Sequence, residues 1–266
     1  MDNRPIGVFD SGLGGLTAVS EIMRILPDEE IVYFGDTARV PYGTRSTDTI
    51  MRYVREDIDF LKSFNIKAVV MACGTASSVS LPAIQSEYDI PIIGVVRPAV
   101  SAAVNVTKNG KIGIIGTGAT IKSRSYEREI LTKLPTAEIY TGACPLFVPL
   151  VENGRIDPSD VVLYTMVEEY LTPIKDAGVD TLIMGCTHYP IIERAIAKFM
   201  GEDVSLINPG YEAAKYLKEN ENIEKNVGGG KYSFFVSDDR DGFVANASKF
   251  LGGRLSGETW LAPMER

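Results

Sequence analysis

Short apolar runs of β-type residues recur along this chain, and the gaps between them mostly carry helical periodicity. Runs near 5–9, 31–35, 67–72, 91–96, 111–116, 138–142, 180–185, 204–207 and 232–236 read as strands. In 47–64, Ile50, Val54, Ile58 and Leu61 recur at steps of four, four and three, one buried helix face whose start Ser46 or Thr47 can cap. In 159–175, Val162, Met166, Tyr170 and Ile174 make a second such face. Alternation of this kind implies α/β architecture with parallel sheets and crossover helices.

The pattern is also doubled. Cys73, in Val69-Val70-Met71-Ala72-Cys73-Gly74-Thr75, has a counterpart in Cys186, in Leu182-Ile183-Met184-Gly185-Cys186-Thr187-His188. Ile6-Gly7-Val8-Phe9-Asp10-Ser11-Gly12 has one in Ile112-Gly113-Ile114-Ile115-Gly116-Thr117-Gly118. Ser11 precedes Cys73 by 62 positions and Thr117 precedes Cys186 by 69, in the same order. This reads as two related halves. The 266 residues suit two domains. Crossings near Val96–Pro98 and Asn208–Gly210 divide the chain into 1–97 plus 209–266 and 98–208. The polar, glycine-rich stretch 219–230 reads as a flexible connection.

Composition narrows the function. A net charge of -8 disfavours a nucleic-acid binder but leaves room for an anionic small substrate held by local N–H groups. No apolar run approaches the ~18 residues of a membrane helix, and no targeting peptide is expected. Three cysteines without regular spacing suggest cytosolic thiols rather than disulfides. With no C-x-x-C pair and a single histidine, no metal site is expected.

A lone cysteine at a strand end is more often a small buried residue than a catalyst. Two in matched settings, each at the carboxyl edge of a strand, point to a pair of facing proton carriers. Inverting a carbon centre needs a proton removed from one face and another delivered to the opposite face, and one base cannot reach both. A thiol titrating near ~8.5 needs only a modest shift, from N–H groups or helix starts, to ionise near neutral pH. Cys144, with no following threonine and no twin, reads as structural. Asp10-Ser11-Gly12-Leu13-Gly14-Gly15 is either an anion or ammonium site at a helix start or a plain turn capped by Asp10 or Ser11. The loop Gly35 to Gly43 either offers the N–H groups of Tyr42 and Gly43 to a carboxylate or is an ordinary Pro-Tyr-Gly turn. His188 could tune Cys186, and Glu152 could hold the imidazole or lie in solvent.

Taken in order, these segments resemble glutamate racemases, which are cofactor-independent amino-acid racemases. The matching pieces are Gly7 to Thr17, Tyr33 to Thr37 with Pro41-Tyr42-Gly43, Ala72 to Ser77, Gly116-Thr117 with Thr120-Ile121, Cys144-Pro145-Leu146, and Gly185 to Pro190. The resemblance implies two pseudo-symmetric domains, each a mostly parallel sheet flanked by helices, with the active site in the cleft between them. It implies that Cys73 takes the proton from D-glutamate and Cys186 from L-glutamate, assisted by Asp10 and His188. Asp10, Ser11, Tyr42, Gly43, Gly74, Thr75, Thr117, Thr120, Thr187 and His188 match substrate contacts. It further implies no cofactor, a cytoplasmic homodimer and D-glutamate for peptidoglycan. The family usually has asparagine where this chain has Gly74, so a side-chain contact is lost there, and Asn208 stands where aspartate is common.

The rival readings are a racemase of aspartate or another amino acid, a Cys–His hydrolase or amidotransferase, and a two-lobed amino-acid sensor. A nucleophile elbow would want glycine two residues after Cys186, where His188 stands.

Overall fold

A computed structural model describes residues 2–252 and 258–262. Among the described residues ten strands form two sheets: β1 Ile6–Asp10, β2 Ile31–Gly35, β3 Ala68–Met71, β4 Ile92–Gly94, β5 Lys111–Gly116, β6 Glu138–Ala143, β7 Thr181–Met184, β8 Ser205–Ile207, β9 Tyr232–Val236 and β10 Glu258–Leu261. The first sheet has the order β10-β9-β2-β1-β3-β4 and the second β6-β5-β7-β8. Every strand pair in both is parallel.

The duplication is visible in topology and register. The run β2-β1-β3-β4 repeats as β6-β5-β7-β8. Ile6 pairs with Ala68 and Phe9 with Met71; in the second sheet Ile112 pairs with Thr181 and Ile115 with Met184. Counting on from those pairs, Ser11 and Thr117 occupy one equivalent slot, and Cys73 and Cys186 the other. In each sheet these slots lie beyond the carboxyl ends of two adjacent central strands, where the chain order reverses and α/β proteins open a crevice.

The halves are joined by the helix Val96–Val106, between β4 and β5, and the helix Pro209–Glu219, between β8 and β9. Asn208 caps the latter by accepting from the N–H groups of Gly210 and Tyr211, a duty asparagine and aspartate perform equally well. One apolar cluster runs from Val8, Tyr33 and Ala72 in the first half to Leu171, Met184 and Tyr189 in the second, so the two share a core. The stretch after Glu219 is irregular, yet Lys67 Nζ donates to the Glu224 carbonyl and pairs with Glu29 at 2.6 Å, both side chains buried.

Three expectations need correction. The buried stripe of the helix Val161–Asp176 is Leu163, Val167, Leu171 and Ile174; Val162 is exposed. Leu163 and its partners form a continuous aliphatic row, which buries better than one containing Tyr170. The chain leaves strand geometry at Gly94, because the helix already begins at Val96. Strand β10 was not anticipated: Glu258, Trp260 and Leu261 are exposed on a sheet edge, so the segment lacks an apolar signature. Among the described residues, no helix is long and apolar enough to cross a membrane.

Candidate active site

Cys73 ends the turn after β3 and caps the six-residue helix Gly74–Val79, its Sγ accepting from the Ala76 N–H at 3.4 Å. Ser11 Oγ lies 3.7 Å from that sulfur. The thiol is almost fully buried, and burial, with the charge of Asp10, pushes it up to about 12. The single N–H from the helix start does not offset this, so the local lowering expected from sequence is absent at Cys73.

Cys186 follows β7, also buried, with its Sγ 3.9 Å from His188 Nδ1. The other ring nitrogen, Nε2, meets Glu152 Oε1 at 3.1 Å, which settles what Glu152 faces. Burial opposes charge on the ring, but hydrogen bonds to Cys186 and Glu152 hold His188 up to about 10. The imidazole is therefore a cation near neutral pH, placed between a sulfur and a carboxylate.

The slots of the first half interlock with those of the second. Asp10 Oδ2 accepts from the Gly12 N–H at 2.9 Å, and Thr187 Oγ1 reaches Asp10 Oδ1 at 3.4 Å. Burial pushes Asp10 above the usual carboxylate range, against the pull of His188 and the loop N–H groups. Neither Asp10 nor Ser11 caps the following helix, which starts at Leu16 after Gly15. Thr75 Oγ1 lies 2.9 Å from Thr117 Oγ1 and 3.5 Å from Thr120 Oγ1, and Thr117 caps the helix Gly118–Ser123. These threonines form one hydroxyl cluster bridging the halves.

Gly74 makes the closest approach. A Cβ there would sit 2.3 Å from the Gly185 carbonyl oxygen, so the two cysteine-bearing loops touch backbone to backbone. Gly43 presses likewise on the Thr117 side chain. A void of about 10 Å³, room for no more than one water, borders Cys186 between Thr17, Gly74, Gly185 and Pro209, and Cys73 is not part of its lining.

Tyr42 is buried, and its hydroxyl is 2.5 Å from Asp36 Oδ2 and 2.8 Å from Asp57 Oδ2. Arg39 spans the same acids, with Nε 2.6 Å from Asp36 and Nη2 2.9 Å from Asp57, and also pairs with Glu56. This network holds the turn carrying the Tyr42 and Gly43 N–H groups. Sequence reasoning missed it, although Asp57 lies three residues after Val54 and four before Leu61, on the buried helix face. Tyr126 was also missed. It is buried against Gly185, its hydroxyl has no hydrogen-bond partner among the described residues, and burial and both thiols raise its phenol. Cys144 is buried in the shared apolar cluster. Among the described residues, no group of three or more His, Cys, Asp or Glu side chains is arranged to hold a metal.

A duplicated parallel α/β fold with a buried thiol at the equivalent edge of each sheet defines a class of two-sheet α/β proteins. Within that class the chain belongs to the Asp/Glu/Hydantoin racemase family, whose sequence profile matches residues 14–217. A glutamate racemase of Geobacter metallireducens is 44% identical over 266 residues, 98% of this chain and 97% of that one. The crystal structure of a glutamate racemase isoform from Bacillus anthracis superposes with a TM-score of 0.92 at 39% identity, covering 100% of both chains. That of the Francisella tularensis glutamate racemase, in complex with D-glutamate, gives 0.88 at 39% identity, covering 100% of this chain and 98% of that one.

Proposed function

We propose that this chain is a two-base racemase interconverting L- and D-glutamate without a cofactor, with its site between a domain of residues 1–97 plus 209–266 and one of 98–208. Cys186 as thiolate takes the α-proton of L-glutamate, and the Cys73 thiol delivers its proton to the opposite face. The cycle ends with Cys73 as thiolate and Cys186 as thiol, so protons balance, and D-glutamate reverses the roles. Asp10 assists Cys73, and the His188 cation offers a counter-charge beside Cys186. Hydroxyls of Ser11, Thr75, Thr117, Thr120 and Thr187, with N–H groups at Tyr42, Gly43 and Gly74, bind the carboxylates and ammonium and polarise the carboxylate beside the reacting carbon. The enzyme works as a homodimer in the cytoplasm and supplies D-glutamate for peptidoglycan.

The carrying observation is the equivalence of Cys73 and Cys186 across the two sheets, in a chain with glutamate racemases as relatives over nearly its whole length. The test is solvent deuterium. Each enantiomer incubated in heavy water should gain deuterium at the α-carbon as it converts, and Cys73→Ala/Cys186→Ala should abolish conversion. Full racemisation by that double variant would refute the assignment.

One contact favours a second reading. Cys186, His188 and Glu152 form a relay of the kind that activates a hydrolytic cysteine. That reading predicts ammonia from glutamine and an acyl adduct on Cys186, and it leaves Cys73 unexplained.

A further inference from the structure

The helix Arg240–Phe250, between β9 and β10, buries Phe243, Ala247 and Phe250 at steps of four and three, a stripe that packs into the shared core. Phe243 packs on Tyr33 and Phe234, with ring centroids 6.1 Å and 6.4 Å away. Phe250 instead meets the imidazole of His188, with centroids 5.6 Å apart and planes at 87°, a favoured arrangement of two rings. Both side chains are buried. The contact crosses between the halves, because His188 follows β7 of the second sheet and the helix follows β9 of the first.

The polar partners of His188 hold its ring only loosely. Its nitrogens face Cys186 Sγ at 3.9 Å and Glu152 Oε1 at 3.1 Å. The first contact is long, and the Glu152 side chain is 43% exposed, so water competes for the second. Rotation about the Cβ–Cγ bond carries both nitrogens off their partners at once, and apolar packing against the ring is what resists it. Gly14, from the first half, closes one side: a Cβ there would lie 2.5 Å from both Cε1 and Nδ1. Phe250 is the one aromatic side chain in ring contact with His188 among the described residues. The charges that act on the imidazole are those of Cys186, Glu152 and Asp10, whereas Arg240, Asp241 and Lys249 of the helix are exposed.

We propose that Phe250 is a positioning residue for the thiol site, its ring holding the His188 imidazole with Nδ1 toward Cys186 and Nε2 toward Glu152. A helix of the first half thereby orients the group that faces the thiol of the second. The consequence for turnover rests on the proposed role of Cys186 as a proton carrier; the orientation itself is measured without turnover. Hydrogen bonds to Cys186 and Glu152 keep the ring protonated against the effect of burial, so a ring free to swing holds its proton less tightly.

The test is an NMR titration of the full chain labelled in histidine and phenylalanine. His188 is the only histidine, so its ring signals are identified at once. The parent should show a nuclear Overhauser contact between the His188 ring and a phenylalanine ring, and a titration midpoint of about 10. In Phe250→Leu that contact should vanish and the midpoint fall, the ring holding its proton about three- to tenfold less tightly. Phe243→Leu removes a ring from the same buried stripe without touching the imidazole, so it should lower thermal stability and leave the midpoint in place. Racemisation kcat/KM should fall several-fold in Phe250→Leu, equally for both enantiomers. An unmoved midpoint in Phe250→Leu, an equal fall in Phe243→Leu, or parent-like kcat/KM beside a shifted midpoint would each overturn the proposal. Should Phe250→Leu fail to fold, the parent decides, because absence of the Overhauser contact overturns the proposal and its presence upholds it. A parent that binds glutamate without racemising it would sink the proposed function, and the histidine titration would still decide the ring contact.

Discussion

Replacing Tyr42 by phenylalanine tests how a buried network holds the candidate binding turn. The phenol has one proton but faces two carboxyl groups, at 2.5 Å and 2.8 Å. One proton satisfies one acceptor, so the second contact is a hydrogen bond only when that carboxyl is protonated. Burial, with the nearby charge of Asp36, pushes Asp57 well above the usual carboxylate range. Tyr42 therefore donates to Asp36 Oδ2 or Asp57 Oδ2, while Arg39 pairs with both acids. Tyr42→Phe removes the donor that these two fully buried carboxyls share. At roughly 1–3 kcal/mol for a stranded buried group, the loss is about 1–3 kcal/mol. That is a large part of a typical domain stability of ~5–15 kcal/mol. Urea unfolding should show a lower midpoint at unchanged slope. The KM for glutamate should rise, because the same turn presents the Tyr42 and Gly43 N–H groups. A variant within about 0.5 kcal/mol of the parent, inside the range of ordinary surface substitutions, and with unchanged KM would refute the reasoning.

Cys73→Ala and Cys186→Ala should each lower racemisation by about 10²–10⁴-fold in both directions, followed by circular-dichroism polarimetry; either variant keeping a tenth of parent activity would count against the two-base scheme. Gly74→Ala puts a Cβ 2.3 Å from a backbone oxygen where ordinary contact is 3.4–4 Å, so the loops must part by about 1 Å, at a cost of roughly 1–3 kcal/mol. Amide exchange at Gly185 and Cys186, whose N–H groups donate to the Ile115 and Met184 carbonyls, should then quicken, and unchanged exchange would show that the loops do not touch. His188 rises from 6.5 to about 10 on folding, so its stabilising contribution is complete below 6.5 and lost as pH climbs through about 10. The stability gap between the parent and His188→Asn should therefore narrow from about pH 6 to about pH 10; a gap that widens would reverse the assignment of charge.

Much of the scaffold is legible because buried parallel strands are nearly continuous apolar runs. Strands β2, β5 and β9 fall at the residues expected, and the two cysteine turns are found from their shared pattern. What sequence hides depends on partners far along the chain. Asp57 falls on the apolar face of its helix, but the Asp36, Arg39 and Tyr42 side chains that satisfy it lie well before it in the chain. Leu163 and Val162 both begin plausible stripes, and only the packing partner chooses between them. Glu152 is named in the sequence as holding the His188 ring or lying in solvent, and with 36 residues between them nothing local chooses between the two. The contact between Gly74 and Gly185 belongs to the closure of one half on the other, which no local pattern encodes.

Duplication gives the two sulfurs the same backbone slot but opposite electrostatic surroundings. Cys73 has Asp10 and Ser11 beside it; Cys186 has the His188 cation, itself held by Glu152. In the proposed cycle one sulfur carries the proton while its partner is bare, and matched surroundings would favour neither arrangement. The asymmetry keeps the proton on Cys73 and offers a counter-charge to Cys186, the arrangement that receives L-glutamate. It cannot favour net conversion, because enantiomers have equal free energy in water and kcat/KM must be equal in the two directions. Any imbalance must therefore appear as parallel differences in kcat and KM between the directions. His188→Asn or Asp10→Asn should lower kcat/KM equally for both enantiomers while changing the ratio of the two kcat values. If that ratio stays at its parent value in both variants, the unlike surroundings of the two thiols do not govern which one holds the proton.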